Sequence, residues 1–388
     1  VSITEDETVP TVSLSASGTT VSEEGGGGIT FTATIDQIAA SNLVVSLNIN
    51  IASRNQAYVS NLPTSLDVTI SAGSLSGTAT YVPTNNNSYD DTSTVNFNIA
   101  SVSGSGAIGS TVLISSTLNS KTVSVTENET APTVSLASSA SSVAENGSAL
   151  TLTATLNTTT YADVIVTLSS SGADSTVSSG SDYSLSSSIT IPAGQSSATG
   201  TFTPTDDFSN PVYEETEAVV VSISGVNGGS ASENSTQQTT INITENESVP
   251  TLTLAGAVSI DEKTQTATVT ANLSIKTDKT VTVSFSNSGT ATANTDYTLS
   301  SITIGAGSTS GSQTLSPVLD TDYEDGSETV KLTGAASGIS GISNSSTLLI
   351  ITITNFALNS GYAPLTSSQV TTANNYKADA EFKNINTN

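Results

Sequence analysis

Apolar and polar residues alternate with a period of two through most of the chain. ITFTATI (29–35), LTLTATL (150–156), DVIVTLS (163–169), AVVVSIS (218–224) and TVTVSFS (280–286) each set Val, Ile, Leu or Phe on one side and mostly Thr or Ser on the other. Such runs predict strands with one buried and one wet face, as in antiparallel sheets packed in pairs. Helical periodicity is nearly absent, so the expected class is all-β.

The pattern also repeats on a larger scale. SITEDETVPTVSL (2–14) returns as SVTENETAPTVSL (124–136) and NITENESVPTLTL (242–254), at intervals of 122 and 118 residues. Spacing of this size marks tandem domains of ordinary size. The expected division is a last strand of a preceding repeat at 1–8, repeats at 9–130, 131–248 and 249–355, and a tail at 356–388. Either a preceding sandwich supplies the body belonging to that first strand, or the strand is donated to a neighbouring molecule; the former is the expectation. The tail, with Lys377 and Lys383, has no clear alternation.

Charge narrows the functions. Lys and Arg total 8 against 34 Asp and Glu, a formal net charge of -26, and such a surface repels nucleic acid. Clustered carboxylates are the oxygen ligands that calcium prefers. The chain has no Cys and no His, which removes disulfides and the usual zinc ligands and catalytic base. With few aromatics to make a sugar platform, paired acids such as Glu214 and Glu217 do not read as a glycosidase, and no enzyme is expected. No apolar run reaches the roughly 18 residues of a membrane span. The nine Asn-x-Ser/Thr sequons are what a chain rich in these residues carries by composition.

Within the repeats, short motifs recur in fixed order. The second has SVAENG (142–147), SGSDYSL (179–185), IPAGQSSATGTFTPTDD (191–207), YEETE (213–217) and a final strand running into acid; the third has SIDEK (259–263), ANTDYTL (293–299), DTDYEDGSE (320–328) and LIITIT (349–354). This succession resembles the Calx-beta domain, in three tandem copies over about residues 9–355. The resemblance implies seven-stranded Greek-key sandwiches, arranged as an elongated rod, with calcium bound at the end of each sandwich that faces the next.

It also implies ligands. In the second repeat these are Glu145, Asp182, Asp206, Asp207, Glu214, Glu217, Glu245 and Glu247. The third keeps Glu262, Asp296, Asp320, Asp322, Glu324 and Glu328, but its last strand leads into TNFALN instead of acid, so weaker binding is expected. The first keeps Glu23 or Glu24, Asp90, Asp91, Glu127 and Glu129, with NNNSYDDTST (85–94) and QAYVSN (56–61) where the others are richer in acid. Two readings of these acids stand side by side: a Ca2+ site at each domain junction, or a solvated charge cluster guarding strand ends.

The function expected is an extracellular, calcium-stiffened spacer or adhesion module of a larger cell-surface protein. Its partners are other domains of that protein or other copies of itself, with a surface ligand or glycan beyond them. The alternative is a self-assembling subunit of a filament or surface layer. An intracellular calcium sensor is a third reading, disfavoured because no regulatory partner sequence is present.

Overall fold

The computed structural model describes residues 8–23, 27–38, 40–53, 63–84, 87–89, 93–104, 112–172, 180–319, 326–344 and 348–354. All regular elements among them are β-strands, and no helix is long and apolar enough to cross a membrane. The chain falls into two compact units, Val1–Asp206 with Thr216–Thr244, and Asp207–Glu215 with Glu245–Asn388.

The first unit contains two sandwiches. In one, Ser76–Tyr81, Ile29–Ile35, Thr11–Ala16 and Leu113–Ile114 form a sheet in that order, and Thr20–Ser22, Ser120–Thr126, Ser93–Ser103, Leu43–Ser53 and Ser65–Ile70 form the other. In the next, Tyr183–Leu185, Ser197–Pro204, Leu150–Leu156, Thr133–Ser138 and Ser232–Glu233 are opposed to Ser142–Ala144, Gln238–Thr244, Glu217–Asn227, Val164–Gly172 and Ser188–Ile191. Within the second unit, Leu252–Gly256, Ala267–Leu273, Ser310–Pro317 and Tyr297–Thr298 make one sheet, and Ser259–Asp261, Leu349–Thr354, Glu328–Ser337, Val281–Asn287 and Ile302–Ile304 the other.

The alternation explains the burial. Along Ile29–Ile35, Ile29, Phe31, Ala33 and Ile35 are buried and the intervening Thr residues are not. Phe31 lies 4.3 Å from Phe97, and Tyr81 lies 5.0 Å from Phe97, ring centre to ring centre. Tyr183 stacks on Phe202 at 4.9 Å. Full burial of one such side chain stabilises by about 1.5–3 kcal/mol, so these aromatic and aliphatic clusters hold each pair of sheets together.

A recurring turn carries the chain from one sheet to the other. Gly73, Gly194 and Gly307 have φ of 80°, 76° and 74°, a left-handed conformation that glycine adopts without a Cβ penalty.

Two features position the acids. A three-residue strand early in each sandwich runs parallel to the last one: Thr20–Ser22 beside Ser120–Thr126, Ser142–Ala144 beside Gln238–Thr244, and Ser259–Asp261 beside Leu349–Thr354. The residue following each short strand is thereby brought to the end of the last strand. The second feature is the boundary between the two units. Asp207–Glu215 and the residues from Glu245 onward belong to the second unit. The physical reason lies in Tyr213, 8% exposed and part of the apolar cluster of Leu252, Leu254 and Tyr297.

Candidate metal centre

Glu23 follows Thr20–Ser22, and its N–H donates to the Thr126 carbonyl at 3.1 Å. The same backbone bond recurs from Glu145 to Thr244 (3.0 Å) and from Glu262 to Thr354 (3.1 Å). An early glutamate is thus tied to the final strand in all three sandwiches. In the first, the chain turns sharply after Thr126, because Glu127 Oε1 accepts the N–H groups of Asn128 (2.8 Å) and Glu129 (3.1 Å). This turn returns Glu129 toward the sandwich end. One carboxylate oxygen from each of Glu23, Glu127 and Glu129 lies within 4.8 Å of the others.

Glu23 is only 3% exposed. Two like charges at that separation repel by on the order of 3 kcal/mol at an effective dielectric of about 20, so the trio is costly while all three are ionised and uncompensated. A hard divalent cation, which takes six to eight oxygens, relieves that repulsion. The Tyr81 hydroxyl is buried without a hydrogen-bond partner among the described residues. Burial and then the charge on Glu23 push its pKa up to about 12. Three carboxylate oxygens this close are a hard donor set that fits calcium.

The remaining acids are distributed as follows. Glu24, Asp90, Asp91, Asp320, Asp322 and Glu324 lie outside the described residues. Glu145 and Glu217, each 5% exposed, flank the end of Gln238–Thr244, with Glu217 opposite Ile243. Asp182 is half-buried and its carbonyl accepts the Thr205 N–H at 2.9 Å, whereas Asp206 is exposed. In the second unit, Asp207 Oδ2 accepts the Val212 N–H at 2.5 Å. Glu245 accepts N–H bonds from Glu214, from Asn246 at 2.7 Å and from Glu247 at 2.8 Å. Burial raises the Glu245 pKa, but the hydrogen bonds to Glu247, Glu214 and Asn246 outweigh it and hold the carboxyl below the usual range. Glu262 and Glu328 are half-buried, the latter opposite Ile353. Asp296 Oδ2 accepts the Thr292 N–H at 2.5 Å.

In the first sandwich, Ser93, 4% exposed, stands opposite Val125, where Glu217 stands opposite Ile243 and Glu328 opposite Ile353. One acid is therefore lost from that strand position. The trio draws instead on the early glutamate and the acids after the final strand.

Sequence reasoning missed what the acid-rich loop does. Ser88–Tyr89 pairs in parallel with Thr159–Thr160, and the Ser88 and Thr159 hydroxyls are 2.6 Å apart. In the second unit Val212–Tyr213 pairs in parallel with Lys276–Thr277. There the Asp278 N–H donates to the Tyr213 carbonyl (3.2 Å) and Lys276 Nζ to Asn210 Oδ1 (2.6 Å). Glu215 has a left-handed φ of 46°. Its carboxylate takes an ion pair from Lys279 at 2.9 Å and the Ser340 N–H at 2.7 Å. The available signal was Tyr followed by two acids, in SYDD (88–91), VYEE (212–215) and DYED (322–325).

No family model and no curated protein matches the chain. Among solved structures it is similar to CBD12 from CALX1.2, at 16% identity over 52% of this chain and 79% of that one, with a TM-score of 0.24. The apo-form Calx CBD1 domain is 17% identical over 30% of this chain and 99% of its own, with a TM-score of 0.25. The Yersinia pseudotuberculosis adhesin InvE is 13% identical over 57% of this chain and 58% of its own, with a TM-score of 0.30. Likenesses at this level carry no argument about function.

Proposed function

We propose that the chain is an array of structural β-sandwiches from a larger cell-surface protein, serving as a spacer or adhesion module whose sandwich ends take up calcium. The observation that supports this is the Glu23, Glu127 and Glu129 trio, three oxygens within 4.8 Å of one another with Glu23 buried. Glu145 and Glu262, held by the same backbone bond, extend the reading to the other two sandwiches.

The role is mechanical. Calcium supplies charge neutralisation, and the chain supplies the connection. Glu23 lies between an early strand and the last strand, while Glu127 and Glu129 lie in the segment leading to the next sandwich. Drawing these acids together ties a sandwich end to its linker and restricts bending. Millimolar extracellular calcium saturates even weak sites of this kind, which suits a net charge of -26 to a secreted setting.

The test is calcium calorimetry on the full chain and on Glu23→Gln and Glu129→Gln variants. The reading requires calcium binding that each substitution weakens at least tenfold. Calcium heats that are absent, or unchanged in both variants, make the trio a solvated charge cluster.

A further inference from the structure

The strand that follows the tyrosine-bearing loop ends the same way in all three sandwiches. Ser93–Ser103, Glu217–Asn227 and Glu328–Ser337 each run directly into a glycine, Gly104, Gly228 and Gly338, at φ of 147°, 98° and 110°. Glycine is required there. A Cβ would stand 2.4 Å from the Asn42 carbonyl oxygen, 2.1 Å from that of Asp163 and 2.4 Å from that of Thr280, and a positive φ disfavours any side chain. The residue before the glycine differs: it is Ser103 in the first sandwich and Ser337 in the third, but Asn227 in the second.

In an asparagine followed by glycine, the side-chain amide is open to attack by the next backbone nitrogen, because no Cβ shields that nitrogen. The chain has this pair twice, at 146–147 and 227–228, and the fold treats the two differently. Gly147 N–H donates to the Ala144 carbonyl at 2.7 Å, so its turn holds the nitrogen. Gly228 N–H has no acceptor among the described residues. Asn227 and Gly228 are both exposed, and the following Gly229 and Ser230 are left-handed as well, at φ of 55° and 52°. The Asn227 side chain is therefore free to turn onto a nitrogen that faces water.

We infer that Asn227–Gly228 is a self-modification site, at which the folded chain converts asparagine to aspartate and isoaspartate with water as the only co-reactant. Gly228 N passes its proton to a solvent base and bonds to Asn227 Cγ, and the side-chain nitrogen leaves as ammonia. A cyclic imide results. Water then opens it: cleavage of the Cγ–N bond gives aspartate, whereas cleavage of the original peptide C–N bond leaves the chain running through Cγ, as isoaspartate, one backbone atom longer. Either product adds a negative charge. The site also adjoins a joint, since a Cβ on Gly229 would stand 3.0 Å from Thr160 Cβ, and Thr160 is paired with Tyr89. Lengthening the backbone there disturbs the seat of the Ser88–Tyr89 strand. The inference is independent of calcium.

The test is to incubate the full chain at mildly alkaline pH, which deprotonates more of the backbone nitrogen, and to follow it by peptide mass spectrometry. Enzymatic methylation of isoaspartate marks the rerouted product, and Asn227→Ser, the residue of the other two sandwiches, is the blank. In the folded chain the Asn227 peptide is expected to deamidate at least tenfold faster than the Asn146 peptide, because the Gly147 hydrogen bond must open first, and isoaspartate appears at Asn227. In strong denaturant the two rates converge. Amide exchange at residues 159–160 is at least threefold faster in the modified fraction. Equal rates at the two sites in the folded chain, or aspartate without isoaspartate at Asn227, overturn the inference. So does a rate difference that persists in denaturant, which assigns it to the flanking residues and not to the fold. Unchanged exchange at residues 159–160 overturns the effect on the joint.

Discussion

Replacing Tyr213 with Ala probes the way the second unit incorporates a loop from the preceding repeat. Tyr213 is 8% exposed, packs in the apolar cluster with Leu252, Leu254 and Tyr297, and is register-paired with Thr277. Truncating a buried large aromatic to Ala costs about 3–5 kcal/mol. Tyr213 enters from a two-residue strand at the margin of its cluster, so the low end, about 3 kcal/mol, applies. At about 1.4 kcal/mol per factor of ten, global-opening amide exchange in Ala267–Leu273 and Ser310–Pro317 accelerates by roughly 100-fold. Hydrogen exchange with mass spectrometry reads those strands directly. Tyr213→Phe keeps the ring and leaves the rates within about threefold of the parent. Exchange in both strands that is unchanged by Tyr213→Ala refutes the claim that this side chain is part of the second unit's core.

Two other substitutions give opposite signs. Tyr81→Phe removes a buried hydroxyl with no partner among the described residues and raises the stability of the first sandwich by about 1 kcal/mol in denaturant titration. The folded-state pKa of Tyr81 is raised to about 12, so its contribution is complete below about pH 10 and fades as pH climbs toward 12; the Phe variant lacks that alkaline loss. Glu245 has a depressed pKa, so its contribution is present above the ordinary glutamate value near 4.3 and disappears as pH falls through the lower folded value. Glu245→Gln flattens the acid limb of the second unit's stability curve, and an unaltered limb contradicts the hydrogen-bond assignment.

Legibility in the sequence follows range. ITFTATI and LTLTATL announce their buried faces because a strand's side-chain period is a local property. The early glutamates were visible as part of a motif, but one-dimensional reading left Glu23 and Glu24 equivalent. The parallel pairing of Thr20–Ser22 with Ser120–Thr126 brings Glu23 to the end of the last strand across about a hundred residues, and no local pattern encodes that register. The docking strands were invisible for a related reason. Thr159–Thr160 and Lys276–Thr277 are two residues long, too short to alternate, and their partners come from another repeat. Glu127 and Glu129 were legible as candidates beside Glu23 or Glu24, but the acid-poor NNNSYDDTST told against the first sandwich, and the approach of these acids to Glu23 depends on the turn after Thr126, which composition does not show.

The most direct test of calcium at the sandwich ends is site-resolved hydrogen exchange of the full chain, with calcium on the order of 1 mM and after chelation. Calcium bound by the trio slows exchange at residues 20–23 and 120–130 in the parent chain, and this protection is lost in a Glu23→Gln, Glu129→Gln double variant. Equal exchange with and without calcium in these segments contradicts the account and leaves the acids as a solvated charge cluster.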